Sequence, residues 1–263
     1  MRTIPFVKAS ACGNDFLLIE GALAPQDVAA FTRRICDRHE GVGADGVAWM
    51  LAHFSADVEI RLINADGSAA EISGNGTRCV AAYICQQQGK ERISVMTGAG
   101  LRICTLTARR DSEYEFEVEM GEAAVDSEVT LSLRSGEVRG IPVSMGNPHF
   151  VVFVPEFSGN WQARSAEIQH NSRFPQGVNV DWVAPAGSKH DLRAHFFERG
   201  AGETLSSGTG SCAAVAAAIA TGRGQSPVKL RTPGGTQTVR KEGNKIFLRG
   251  PARLLCQGEF FLS

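Results

Sequence analysis

The chain has 263 residues, enough to bury a large core and long enough for two domains of ordinary size. Hydrophobic content of 43%, charged content of 21% and 29 glycines are those of a folded protein with many turns, which excludes a disordered chain. The 27 basic and 28 acidic residues nearly cancel, so no net field favours nucleic acid or an anionic membrane, and a small molecule is the expected partner.

The start, "MRTIPFVKASACGNDFLLIE", has no long apolar run behind a basic end, and no stretch reaches the length of a membrane span, so a cytoplasmic protein is expected. In chain order, "FLLIE", "GVAWML", "DVEIRLI", "ISVMTG", "LRICTLTA" and "YEFEVEM" predict strands, because β-branched and aromatic residues alternate with polar ones between Gly and Asp punctuation. Residues 27–38 and 76–88 predict helices. The second half repeats the theme with "EVTLSLRS", "HFVVFV", "VNVDWVA", "LRAHFFE", "PVKLRT", "TQTVR", "KIFLRG" and "RLLCQGEFFL", and with helices over 161–169 and 209–221.

Three pairs of motifs line up across the halves: "GNDFLLI" with "GNPHFVVF", "GVGADGVA" with "GVNVDWVA", and "SGNGTRCVAAYI" with "SGTGSCAAVAAA". They come in one order at nearly one offset, about 135 residues, which points to two copies of one unit. The expected domains are 1–122 and 123–252, with the last strand, 253–263, a candidate addition to the first. A cleft between two such halves is a preferred place for a small ligand.

Each copy sets a serine before Gly-x-Gly at the mouth of an apolar helix: Ser73-Gly74-Asn75-Gly76 and Ser207-Gly208-Thr209-Gly210. A helix N-terminus offers unpaired backbone N–H groups and the positive end of a dipole, so two facing mouths could hold one carboxylate and leave the serines beside its α-carbon. Taken singly, either serine reads first as a plain N-cap, the usual meaning of Ser before a helix; the paired occurrence shifts the reading toward a site.

"GNDF" at 13–16, "NADGS" at 64–68, "GNG.RC" at 74–79, "GNPH" at 146–149, "GVNV" at 177–180 and "ERGAGET...GTG.C" at 198–212 resemble diaminopimelate epimerase essentially end to end. The resemblance implies a cofactor-independent enzyme of lysine and peptidoglycan precursor synthesis that interconverts LL- and meso-diaminopimelate, and a homodimer. It also implies that Gly74, Asn75, Gly208 and Thr209 hold the reacting carboxylate through backbone N–H groups. Asn64, Asn147, Asn179, Glu198 and Arg199 would bind the distal amino acid end, and Asn14 would line the site. A planar guanidinium grips a carboxylate and a carboxylate pairs an ammonium, so Glu198 and Arg199 suit a zwitterion. Standing alone, the same two residues would read as an exposed ion pair beside a turn. His149 matches the family as well, as a proton carrier or as a satisfied structural histidine. The expected fold is α+β: two pseudo-symmetric domains, each a curved, mostly antiparallel sheet wrapped around a central helix, with the active site between them.

The family places a catalytic cysteine where this chain has Ser73 and another where it has Ser207. A thiol with a pKa of about 8.5, lowered further at a helix N-terminus, supplies thiolate near neutrality. A serine hydroxyl needs a partner to take its proton, and the sequence places no Lys or His beside either. Three readings stay open at this point: an epimerase whose cysteines were replaced, a related isomerase using serine, or an amino-acid-binding homologue that lost the reaction. Cys12 is a weak candidate for rescue, since one thiol cannot serve both faces of a carbon.

Other chemistries fit poorly. "GVGADG" at 41–46 has dinucleotide-loop spacing but leads into a strand-like segment, so no nucleotide cofactor is expected. Seven scattered cysteines without a Cys-x-x-Cys pair and six dispersed histidines argue against a disulfide framework and a metal site.

Overall fold

The computed structural model describes residues 2–70 and 72–262. The chain divides into two compact units: unit 1 holds the residues up to Val118 together with those from Gly250 on, and unit 2 holds Glu119–Arg249.

Unit 1 begins with an antiparallel pair, β1 (Thr3–Ala11) and β2 (Asn14–Glu20). Their two-residue turn puts Cys12 and Gly13 at positive φ, 51° and 77°, which a glycine tolerates and a cysteine resists. Helix α1 (Val28–Cys36) then leads to β3 (Gly46–Leu51), which lies parallel to β2. Next come β4 (Val58–Asn64), antiparallel to β3, the short β5 (Ala69–Ala70) and helix α2 (Gly74–Gln88). After α2, β6 (Arg92–Thr97) returns parallel to β4, and β7 (Gly100–Arg110) and β8 (Glu113–Glu122) follow as antiparallel neighbours.

Unit 2 adds β9 (Ala124–Val125), β10 (Val129–Leu133), β11 (Gly136–Ser144) and β12 (Pro148–Phe153). The same order of elements then recurs. Helix α3 (Trp161–Gln169) leads to β13 (Asn179–Pro185), parallel to β12. The antiparallel β14 (Asp191–Glu198), the short β15 (Gly202–Thr204) and helix α4 (Gly208–Ala220) precede β16 (Val228–Thr232), parallel to β14. Strand β17 (Gly235–Glu242) pairs antiparallel with the start of β18 (Lys245–Phe261), whose far end pairs with β1 in unit 1.

The structure corrects the strand expectation in three places. "KIFLRG" and "RLLCQGEFFL" form one continuous strand of 17 residues. Gly250 and Pro251 fall between the stretch paired with β17, which ends at Arg249, and the stretch paired with β1, which begins at Arg253, and β18 is paired with β8 as well. Strands β1 and β11 also form where local alternation is weak; each is held by pairing on both of its edges.

The helices fall into two kinds. Helix α1 is two-faced: Asp27 caps it by accepting from the Ala30 N–H at 2.8 Å, and Phe31, Thr32, Ile35 and Cys36 turn inward. Phe31 and Ile35 join Leu17, Ile19, Val47 and Trp49 in one cluster, each large side chain contributing about 1.5–3 kcal/mol by burial. Helix α3 packs Trp161 and Ile168 against Phe150, Val180 and Trp182 in unit 2. Helices α2 and α4 are different. Every residue from Gly74 to Ala82 and from Gly208 to Ala218 is buried. Over those residues the helices show no apolar stripe, because strands of their own unit pack around them, and their small residues let backbones approach closely. Among the described residues no helix is long and apolar enough to cross a membrane.

Candidate functional site

Ser73 and Ser207 are both helix N-caps with extended backbone, φ −134° and −130°. The Ser73 hydroxyl accepts from the Gly76 N–H at 3.1 Å, and the Ser207 hydroxyl accepts from the Gly210 N–H at 3.2 Å. Their carbonyls also receive the hydroxyls of Thr77 (2.8 Å) and Ser211 (2.6 Å), which ties each cap to the second half of its first turn. The capping bond occupies one lone pair of each serine oxygen. Among the described residues no basic side chain is hydrogen-bonded to either hydroxyl. Helix geometry gives the first-turn N–H groups, where Gly74, Asn75, Gly208 and Thr209 stand, no carbonyl of their own helix. Each mouth therefore carries positive partial charge.

The two glycines that close these motifs differ in the room around them. A β-carbon on Gly76 would meet Ser73 Cβ at 3.4 Å, an ordinary contact. One on Gly210 would come within 2.8 Å of both Asp181 Oδ1 and the Phe196 ring.

In unit 1 the structure joins Asn14 and Asn75. Asn75 Nδ2 donates to Asn14 Oδ1 at 3.4 Å, and Asn14 Nδ2 donates to Asp45 Oδ2 at 2.5 Å. Arg78, fully buried in α2, donates from Nη2 to Asn75 Oδ1 at 2.6 Å and from Nε to the Pro251 carbonyl at 3.2 Å. Gly250 makes room for it: a β-carbon there would lie 3.2 Å from the guanidinium carbon. Asp45 is paired in turn with Arg38, which also pairs Asp15. Asn64 is held apart from this network by Ser68, whose hydroxyl accepts from its Nδ2 at 3.0 Å.

In unit 2 Asn147 Nδ2 donates to Thr209 Oγ1 at 3.3 Å, while Asn147 Oδ1 lies 3.1 Å from His149 Nε2. His149 Nδ1 lies 2.8 Å from Asp181 Oδ2, with both side chains buried. Asn179 Nδ2 donates to the Pro148 carbonyl, and Asn179 Oδ1 accepts from the Arg199 backbone N–H, both at 2.9 Å. Glu198 and Arg199 form no ion pair. Thr204 donates its hydroxyl to Glu198 Oε1 at 2.7 Å, and Arg199 donates from Nη1 to the Gln176 carbonyl at 3.0 Å. Burial, with Asp181 adding to it, raises the Glu198 carboxyl above its ordinary value against the opposing pull of Thr204 and His149.

Sequence reasoning missed Asp181, Arg78 and Thr204. Asp181 had a visible signal, a lone carboxylate in the otherwise apolar "VNVDWVA". Arg78 lies inside the "GNGTRC" motif, but nothing local says that its charge is buried. None of the cysteines is in a disulfide, and Cys256 alone among them is exposed. Burial pushes the thiols of Cys36, Cys79 and Cys104 up to about 12. Cys12 is buried with its sulfur 4.0 Å from Arg78 Nη2. Among the described residues no group of three or more His, Cys, Asp or Glu side chains is placed to hold a metal ion.

The family model for diaminopimelate epimerase matches residues 6–125 and 141–255. A diaminopimelate epimerase of Pelotomaculum thermopropionicum is 36% identical, over 97% of this chain and 98% of that protein. One of Methanothrix thermoacetophila is 38% identical, over 98% of this chain and 96% of that protein. Among solved structures, a hydroxyproline epimerase from Agrobacterium vitis shares the fold with a TM-score of 0.76 at 18% identity, covering 98% of this chain and 92% of that one. With identities above 30% along nearly the whole length and a family model that spans both units, the chain belongs to the diaminopimelate epimerase family.

Proposed function

We propose that the chain is a diaminopimelate epimerase that interconverts the LL and meso isomers without a cofactor, in the supply of lysine and peptidoglycan precursors. The two units act as duplicated halves, each a curved, mostly antiparallel sheet wrapped around its buried helix. Ser73 and Ser207 occupy the family's two base positions. The first-turn N–H groups at Gly74 and Asn75 and at Gly208 and Thr209 hold the reacting carboxylate. Asn64, Asn147, Asn179, Glu198 and Arg199 hold the distal amino acid end, and Asn14 lines the pocket. As in the family it resembles, the chain works as a cytoplasmic homodimer, which light scattering on the purified protein tests.

The observation that carries this reading is that the same mouth, a serine capping a buried Gly-x-Gly helix, opens in each unit of a chain of this family. In the reaction one serine, as its alkoxide, takes the α-proton and becomes a hydroxyl as the carbanion forms, and the other serine's hydroxyl gives its proton to the carbanion and is left as the alkoxide. A serine hydroxyl is so much weaker an acid than a thiol that little alkoxide exists near neutral pH, so turnover is slow. The unmodified protein is expected to exchange the α-proton of meso-diaminopimelate slowly in deuterated water, read by NMR. The variant carrying both Ser73→Cys and Ser207→Cys exchanges it faster; no gain in that variant removes the base assignment. A second reading, a binding protein without turnover, is favoured by the two capping bonds already made by these hydroxyls. Calorimetric binding with no exchange in the unmodified chain selects it.

A further inference from the structure

Strand β13 carries a single carboxylate, Asp181, whose side chain is 1% exposed and whose Oδ2 lies 2.8 Å from Nδ1 of the fully buried His149. The other ring nitrogen faces Asn147 Oδ1 at 3.1 Å, and Asn147 Nδ2 reaches Thr209 Oγ1 at 3.3 Å. Asp181, His149, Asn147 and Thr209 thus form one hydrogen-bonded line that ends on the second residue of α4. Asp181 Oδ1 is buried without a hydrogen-bond partner and lies beside Gly210, in the first turn of that helix. The positive end of the helix dipole there compensates a carboxylate.

We propose that Asp181 is a positioning residue: its carboxylate accepts from His149 Nδ1–H and fixes the plane of the ring, so that Nε2–H donates to Asn147 Oδ1 and sets the direction of that amide. The proposal rests on the reading that places Asn147 and Thr209 against the substrate. An ionised carboxylate only accepts hydrogen bonds, so Nδ1 must donate whether the ring is neutral or charged. Asn147 Oδ1 is an acceptor as well, so the line is complete only when both ring nitrogens carry protons, which a buried carboxylate on one side favours by its charge. The same carboxylate reaches a second proposed substrate residue, since Asp181 and His149 act on Glu198 in opposite senses. Those two acids are the charges that face His149 in this line.

The test is NMR of 15N-labelled histidine with calorimetry on meso-diaminopimelate. In the unmodified protein His149 is expected to carry protons on both ring nitrogens; a ring protonated on one nitrogen alone overturns the proposal without any variant. Asp181→Asn is expected to remove the Nδ1 proton and to weaken binding about tenfold, while Asp181→Glu restores that proton. Unchanged His149 signals or unchanged affinity in a folded Asp181→Asn protein also overturn it. If the unmodified chain binds no diaminopimelate, the functional reading fails instead, and the histidine spectra still decide where the proton lies.

Discussion

A methyl group on Gly210 would press on Asp181 Oδ1 and the Phe196 ring, both 2.8 Å away, whereas one on Gly76 would meet only ordinary contacts from 3.4 Å outward. Gly210→Ala is therefore expected to destabilise by about 1–3 kcal/mol through overpacking. Gly76→Ala is expected to be neutral or stabilising by up to about 1 kcal/mol, since alanine is the better helix former. Urea unfolding of both variants checks the contrast, and equal costs would contradict it. A second residue-scale expectation concerns Asp15. Burial raises its carboxyl, but hydrogen bonds and charge from Arg38 and Lys8 more than reverse this and leave it below its ordinary value. A carboxyl lowered on folding stabilises the protein above the unfolded pKa of about 4, and that contribution is lost as pH falls through the folded value. The urea midpoint should drop in that acid range, and Asp15→Asn should flatten part of the drop. The thiols give a third check: a thiol reagent should label Cys256 in the native protein and all seven cysteines after unfolding.

At the scale of elements, the two caps can be separated from the chemistry proposed for the same serines. Ser73→Ala or Ser207→Ala removes a capping acceptor and should cost about 1 kcal/mol, whereas a threonine at either position keeps the cap and most of that stability. Thermal unfolding measures the difference independently of proton exchange. Helix α1 depends instead on its apolar face, so Ile35→Ala, which empties a fully buried position, should cost about 2–5 kcal/mol. The helices were legible in the sequence because caps and small-residue runs are local signals: the expected 161–169 matches α3, and 209–221 lies one residue from α4. Strands β1 and β11 were not: β11 alternates weakly and is held by its neighbours β9, β10 and β12, whereas β1 draws on a partner far along the chain. β1 pairs residues 3–10 with residues 253–261.

For the whole molecule, that last pairing has a direct consequence. β18 carries the chain from unit 2 back to unit 1, so truncation after Arg249 strips β1 of one neighbour and removes the Pro251 carbonyl that receives Arg78. Such a chain is expected to lose the cooperative unfolding transition of unit 1 or to aggregate, read by circular dichroism and light scattering. By itself, the sequence determined the repetition, the two capped helix mouths and the family, since each is written in short motifs whose spacing survives without coordinates. Only the tertiary structure decided which polar side chains meet. The Asp181–His149–Asn147–Thr209 line, the bond from Arg78 to the Pro251 carbonyl, and the separate partners of Glu198 and Arg199 all join residues from different parts of the chain. Hydrogen bonds of that kind depend on distances set by strand register and packing, which no local pattern encodes.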